Sequence, residues 1–196
     1  MTSFTLSRQK TGLLVIDVQE KLFPHVERSC EVLHKINQTI QGFKIFDLPI
    51  VVTEQYPQGL GETVQHLKNT LGPEQQFLSK TAFSCMGDDT VRKTLLAMPM
   101  DYWVLVGIEA HVCVLQTAKN LLEENKNVVV LNDAISSRSI YDYSSAIAEL
   151  RDCGARISTT ETILFELLGD SKASEFKEIS QLVQCSSEKE QTCCCL

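Results

Sequence analysis

Four short runs of Val, Ile and Leu recur along the chain without polar alternation. They are "TGLLVIDVQ" (11–19), "LPIVVTEQ" (48–55), "DYWVLVGI" (101–108) and "KNVVVLND" (126–133). A strand with one wet face alternates apolar and polar residues, so strands that read continuously apolar are covered on both faces. Helix-period segments lie between them. Residues 25–46 put Val26, Cys30, Leu33, Ile36, Ile40 and Phe43 on one stripe. Residues 112–125 do the same with Val114, Ala118, Leu121 and Leu122, and Asn125 suits a C-cap. A third helix over 141–154 ends at Gly154, a residue suited to a left-handed terminus. "FLSKTAF" (77–83) reads as a short strand and turn, "ARISTT" (155–160) as a weaker strand, and "TETILFELLG" (160–169) as a helix opened by a hydroxyl cap. Strand and helix alternate throughout, which predicts an α/β fold on a mostly parallel sheet of about six strands.

The chain has 196 residues, enough for one domain with its own core. Its net charge of −7, without a Lys/Arg cluster, argues against binding a phosphate backbone, so no nucleic-acid partner is expected. No apolar run reaches the ~18 residues a membrane span needs, and the N-terminal residues lack the apolar stretch of a signal peptide. The expected setting is therefore the cytoplasm, with the eight cysteines reduced. There is no Cys-x-x-Cys pair, and the histidines are scattered at 25, 34, 66 and 111, so neither a metal nor another cofactor is expected. Cys30, Cys85, Cys153 and Cys185 read as packing or incidental residues.

Ligands of open parallel sheets bind at the C-terminal ends of strands. Three reactive residues fall there: Asp17, Lys80 and Cys113. Singly, each has a structural explanation as a turn carboxylate, a solvated cation and a packed thiol. Together they make coherent chemistry. Cys113 stands near a helix start, where outward N–H groups and the helix dipole lower a thiol pKa. Lys80 adds a positive charge, Asp17 serves as general base, and the turn opened by Gly107 offers backbone donors to an oxyanion. His111 reads as a surface residue flanking the helix.

The motifs "LLVIDVQEKLF", "VVTEQYPQGLG", "SKTAFSC", "VGIEAHVCVLQTA" and "DAISSRS" together resemble the isochorismatase-like cysteine hydrolase superfamily, and within it the animal-type branch of isochorismatase domain-containing proteins. The resemblance covers residues 8–183. It implies a doubly wound, Rossmann-like three-layer fold and an Asp–Lys–Cys triad falling on Asp17, Lys80 and Cys113. It also implies a cis peptide at Ile108–Glu109, with the amides of Glu109 and Cys113 as oxyanion donors. A likeness to the nicotinamidases would require an Asp-x-His metal motif near the second strand, where this chain reads "TEQYPQGLG". Isochorismatase proper acts on a vinyl ether without cysteine attack, so the resemblance leaves the reaction open.

Gln19, Phe23, Tyr56 and Phe83 are the expected pocket lining, with core packing as the alternative for the two phenylalanines. Tyr56 belongs to a Pro/Gly loop expected to cover the site or meet another subunit. Asp133 and Arg138 are expected to pair. The leading expectation is a hydrolase cleaving a C–N bond of a small molecule through a Cys113 thioester. A scaffold or protein-binding member of the family and a thiol redox sensor are the alternatives. The family likeness implies a homo-oligomer, dimer or tetramer. Residues 184–196 read as a flexible Cys-rich tail whose "CCCL" end, Cys193 to Leu196, resembles a prenylation box, the one route by which a membrane would be a partner.

Overall fold

The structure, a computed structural model, describes residues 5–184. Six strands form one sheet: β1 Thr11–Ile16, β2 Ile50–Gln55, β3 Phe77–Lys80, β4 Tyr102–Ile108, β5 Asn127–Ser136 and β6 Arg156–Ser158. The order is β3-β2-β1-β4-β5-β6 and every pairing is parallel. The chain winds outward from β1 to β3, returns to the centre at β4, and winds outward the other way. The reversal lies between β1 and β4, and such a switch point opens a crevice beyond the strand ends.

Helices cover both faces: α1 Ser29–Ile45, α2 Pro57–Leu60, α3 Gln65–Leu71, α4 Asp89–Ala97, α5 Leu115–Glu123, α6 Ile140–Asp152, α7 Thr160–Leu168 and α8 Phe176–Gln184. Alternate residues of each central strand serve opposite cores. Leu13 and Val15 join Ile36, Ile40 and Phe43 of α1 and Leu164 of α7 in one core. Leu14 and Ile16 join Leu95 of α4, Ala118 and Leu121 of α5 and Leu150 of α6 in the other. Each fully buried Val, Ile or Leu contributes roughly 1.5–3 kcal/mol, so a two-sided strand of six buried residues anchors both layers at once.

The structure amends several sequence expectations. α1 starts at Ser29 rather than 25, because Phe23–His25 form a separate 3₁₀ turn and Arg28 is left-handed at φ 55°. Val32 replaces Cys30 on the buried stripe, and Cys30 is exposed. The short helices α3, α4 and α8 were not expected. They bury only Leu67 and Leu71, Val91 and Leu95, and Ile179 respectively, too few anchors to print a periodic pattern. Asp133 does not pair with Arg138. β5 slips between its pairings, with Leu105 opposite Val130 but Gly107 opposite Ile135. Asp133 in the extra stretch accepts from the Thr160 N–H at 3.0 and 3.1 Å, fixing the start of α7. Of the expected tail, Gln184 closes α8, and the cysteines beyond it lie outside the described residues.

Candidate active site

Asp17, Lys80 and Cys113 converge at the C-terminal edge of the sheet. Asp17 follows β1 in a left-handed conformation, φ 53°, which turns its side chain off the strand line. Its N–H donates to the Thr53 carbonyl at 3.2 Å, tying it to the end of β2. One carboxylate oxygen, Oδ2, accepts from Lys80 Nζ at 2.6 Å, and the other, Oδ1, accepts from Thr53 Oγ1 at 2.7 Å. Both charged side chains are wholly buried. Lys80, the last residue of β3, also donates to Gln55 Oε1 at 2.8 Å and to the carbonyls of Phe83 and Ala82 at 3.0 and 3.2 Å. Burial by itself would make the ammonium easier to deprotonate. That is the largest single influence, but the Asp17 charge, joined by Cys85, Cys113 and the hydrogen bond to Asp17, outweighs it, and the Lys80 pKa stands above its ordinary value.

Cys113 approaches the same carboxylate from β4, close enough for the Asp17 charge to act on its thiol. Gly107 makes the approach possible. Its φ is +119°, and a Cβ there would stand 2.1 Å from the Ile16 carbonyl oxygen, on the residue just before Asp17. Only glycine lets the end of β4 press against the end of β1 this closely. The Ile108–Glu109 peptide bond that follows is cis. The chain then makes a wide π-helical turn, Ala110–Val114, in which the Glu109 carbonyl accepts from the Val112 and Val114 N–H groups at 3.1 and 3.2 Å. Regular helix begins only at Leu115, so Cys113 lies in a π turn before α5 rather than in its first turn. Such turns are frequent at functional sites.

The electrostatics of the thiol reverse the sequence expectation. Burial raises the Cys113 pKa above the ordinary thiol value, the Asp17 charge raises it further, and Lys80 only partly opposes them. The resting side chain is a thiol beside a ready proton acceptor, not a preformed thiolate.

The expected lining residues separate into two groups. Gln19 is buried and acts as a brace: its Nε2 donates to the carbonyls of Gly61 and Gln55 at 2.7 and 3.0 Å, and its Oε1 accepts from the Gln55 N–H at 2.8 Å. Phe23 packs in the core beneath α1. Tyr56 and Phe83, by contrast, are 54% and 55% exposed. Both adjoin Lys80 through the backbone, since the Tyr56 N–H donates to the Lys80 carbonyl and the Phe83 carbonyl accepts from Lys80 Nζ. On the opposite side, Glu109 accepts from Arg138 Nε at 2.9 Å. His111 is not a free surface residue: its Nδ1 is 2.9 Å from Ser137 Oγ. These contacts hold the 136–139 loop against the turn that carries Cys113.

Sequence reasoning missed three participants. Thr53 and Gln55 are polar residues at the end of an apolar run, and that interruption was the available signal. Cys85, expected to be a packing or incidental residue, does pack in the core, and it also stands beside the site: its Sγ is 3.7 Å from Thr53 Oγ1 and its N–H donates to Thr117 Oγ1 at 2.9 Å. Burial first, then the Asp17 charge, push its thiol up to about 11. Among the described residues no group of His, Cys, Asp and Glu is placed to hold a metal ion.

The comparisons with known proteins agree with this architecture. The model of the isochorismatase domain matches residues 11–162. Isochorismatase domain-containing protein 2 of Danio rerio is 39% identical over 181 residues, covering 91% of this chain and 89% of that protein. The secreted isochorismatase effector Isc1 of Phytophthora sojae is 37% identical over 175 residues, covering 88% and 83%. The solved structure of the MAR1 ribonuclease from Caenorhabditis elegans superposes with a TM-score of 0.87 at 38% identity, over 93% of this chain and 94% of that one. The fold, the matched domain and relatives spanning most of their own lengths make this chain a member of the isochorismatase family, a family of hydrolases.

Proposed function

We propose that the protein is a cysteine hydrolase that cleaves a C–N bond of a small amide-type substrate through a thioester on Cys113. The observation that carries this reading is the single carboxylate of Asp17 facing a buried ammonium on one side and a thiol on the other. The Cys113 proton passes to Asp17 as the sulfur attacks the carbonyl carbon. The amides of Glu109 and Cys113 take the negative charge on the carbonyl oxygen. The nitrogen leaves with the proton from Asp17. A water, deprotonated by Asp17, then attacks the thioester, giving a carboxylic acid and returning the thiol. Lys80 holds Asp17 in place, and its charge balances the one negative charge that passes between Asp17 and Cys113, so the proton moves within a group of three whose net charge stays zero. Such a transfer asks less of a buried site than creating a new charge there.

Tyr56 and Phe83 flank the entrance and supply apolar contacts to the substrate, while Gln19 holds the loop that carries Tyr56. A cytoplasmic setting suits a nucleophile that must stay reduced. The same exposed rings, with Ile140 and Tyr141, favour a homo-oligomer that covers them. A relative is named a ribonuclease, but a net charge of −7 gives this chain little attraction for a phosphate backbone.

The test is a panel of small primary and secondary amides, read by intact mass and by acid release. The reading expects an acyl adduct on the peptide containing Cys113 and its loss in Cys113→Ala. Absence of an acyl adduct and of hydrolysis across the panel would overturn it.

A further inference from the structure

The mechanism above leaves one buried nucleophile unused. Cys85 lies five residues beyond Lys80, and two hydroxyls locate it. Its Sγ is 3.7 Å from Thr53 Oγ1, and that hydroxyl spends its only hydrogen on Asp17 Oδ1 at 2.7 Å. The Cys85 S–H is therefore the donor to Thr53. Its second partner is Thr117, to which its N–H donates at 2.9 Å. Thr117 stands one turn after Cys113 on the same helical segment, so the two share a side of it. Both thiols belong to one packed cluster, and each connects to Asp17, Cys113 directly and Cys85 through Thr53.

We infer that Cys85 is a resolving thiol for Cys113: after a hydroperoxide oxidises Cys113, Cys85 closes a reversible disulfide with it and switches the hydrolase off. The inference rests on reading Cys113 as the nucleophile. In the first step Asp17 takes the Cys113 proton and the sulfur attacks a peroxide oxygen. An S–O bond forms, the O–O bond breaks, and the leaving hydroxide (or alkoxide) takes the proton from Asp17. In the second step the Cys85 sulfur attacks the Cys113 sulfur. The S–S bond forms, the S–O bond breaks, and the Cys85 proton moves through Thr53 to Asp17 and on to the departing hydroxide, which leaves as water. Two thiols and one hydrogen peroxide become a disulfide and two waters. One carboxylate serves as base for both steps. A thiol reductant reverses the bridge, whereas a Cys113 without a partner would proceed to the sulfinic acid.

The experiment uses the full chain, graded hydrogen peroxide, alkylation of remaining thiols and peptide mapping. The expected result is a cross-linked peptide joining Cys85 to Cys113, lighter by two hydrogens and restored by dithiothreitol. In Cys85→Ser, which keeps a hydroxyl for the Thr53 contact, Cys113 should accumulate sulfinic acid at doses that leave the parent protein recoverable. Thr53→Val keeps both thiols and removes the proton route, so cross-linking should slow at least about tenfold. Should Cys113 of the parent protein reach the sulfinic acid without a cross-linked peptide, as fast as in Cys85→Ser, this inference falls and the hydrolase reading stands. Should Cys113 stay unoxidised while exposed Cys30 and Cys153 react, both fall.

Discussion

At the residue scale, the site is governed by how one buried carboxylate divides its two oxygens. Asp17 holds Lys80 on Oδ2 and Thr53 on Oδ1 while meeting the Cys113 thiol. Its charge lifts the thiol pKa, and in the proposed reaction its lone pairs are the base. Those two roles pull apart in Asp17→Asn. Removing the negative charge should lower the Cys113 pKa and speed iodoacetamide labelling at neutral pH, while turnover of any amide substrate falls by about 10²-fold or more. Parallel measurements of labelling rate and product formation check this, and a fall in both would mean that Asp17 only shapes the site. Lys80→Met should act oppositely on the thiol, raising its pKa, because Lys80 is the cation that opposes the raising terms. It should also cost roughly 3–5 kcal/mol of stability, read from chemical denaturation, since it strands a wholly buried carboxylate. The identities of Asp17, Lys80 and Cys113 were legible in the sequence because strand ends are. The sign of the thiol shift was not, because burial and the exact neighbour of a thiol are properties of the packed molecule.

At the element scale, strand ends are positioned by short polar clasps rather than by the strands themselves. Asp133 reaches from the irregular part of β5 to cap α7, and the β6–α7 junction is held by a second device. Arg156 of β6 donates to both oxygens of Glu166 of α7, at 2.9 and 2.5 Å, and Glu166 Oε1 also accepts the Leu6 N–H at 2.8 Å. The Arg156 hydrogen bonds hold the Glu166 pKa below its ordinary value. A carboxylate with a depressed folded pKa stabilises the fold above its unfolded value, ~4.3, and loses that contribution as pH falls through the folded pKa. Glu166→Gln should therefore lower the melting temperature at pH 7 and flatten its decline in acid. A thermal melt series from pH 7 to pH 3 tests this, and parallel curves for the two proteins would remove Glu166 from the acid response. The sequence displayed the strands and long helices through their periodicity. It did not display α3, α4 and α8, whose one or two buried side chains leave no period to read.

At the scale of the whole molecule, two cores on opposite faces of one parallel sheet bring the ends of β1, β3 and β4 to a common edge. Tyr56 and Phe83 stand exposed beside that edge, and Ile140 and Tyr141 stand exposed at the start of α6. A homo-oligomer formed through these rings should dissociate when they are made polar. Light scattering on Phe83→Ser and Tyr141→Ser should show a smaller particle than the parent chain, with an unchanged circular dichroism spectrum. A parent chain that is already monomeric would remove the assembly from the proposal. The sequence by itself determined the α/β class, the parallel sheet and the three residues at its strand ends. Those follow from local quantities: apolar runs, helical periods and what ends a strand. Tertiary structure alone decided that Arg138 pairs with Glu109 rather than Asp133, that Gln19 braces a loop and that Cys85 stands one hydroxyl from the Asp17 carboxylate. Each of those depends on contacts between residues 29 to 42 positions apart in sequence, and on which groups burial leaves without water. A hydrogen-bond partner is chosen by distance in space once solvent is gone, and no periodicity along the chain records that distance.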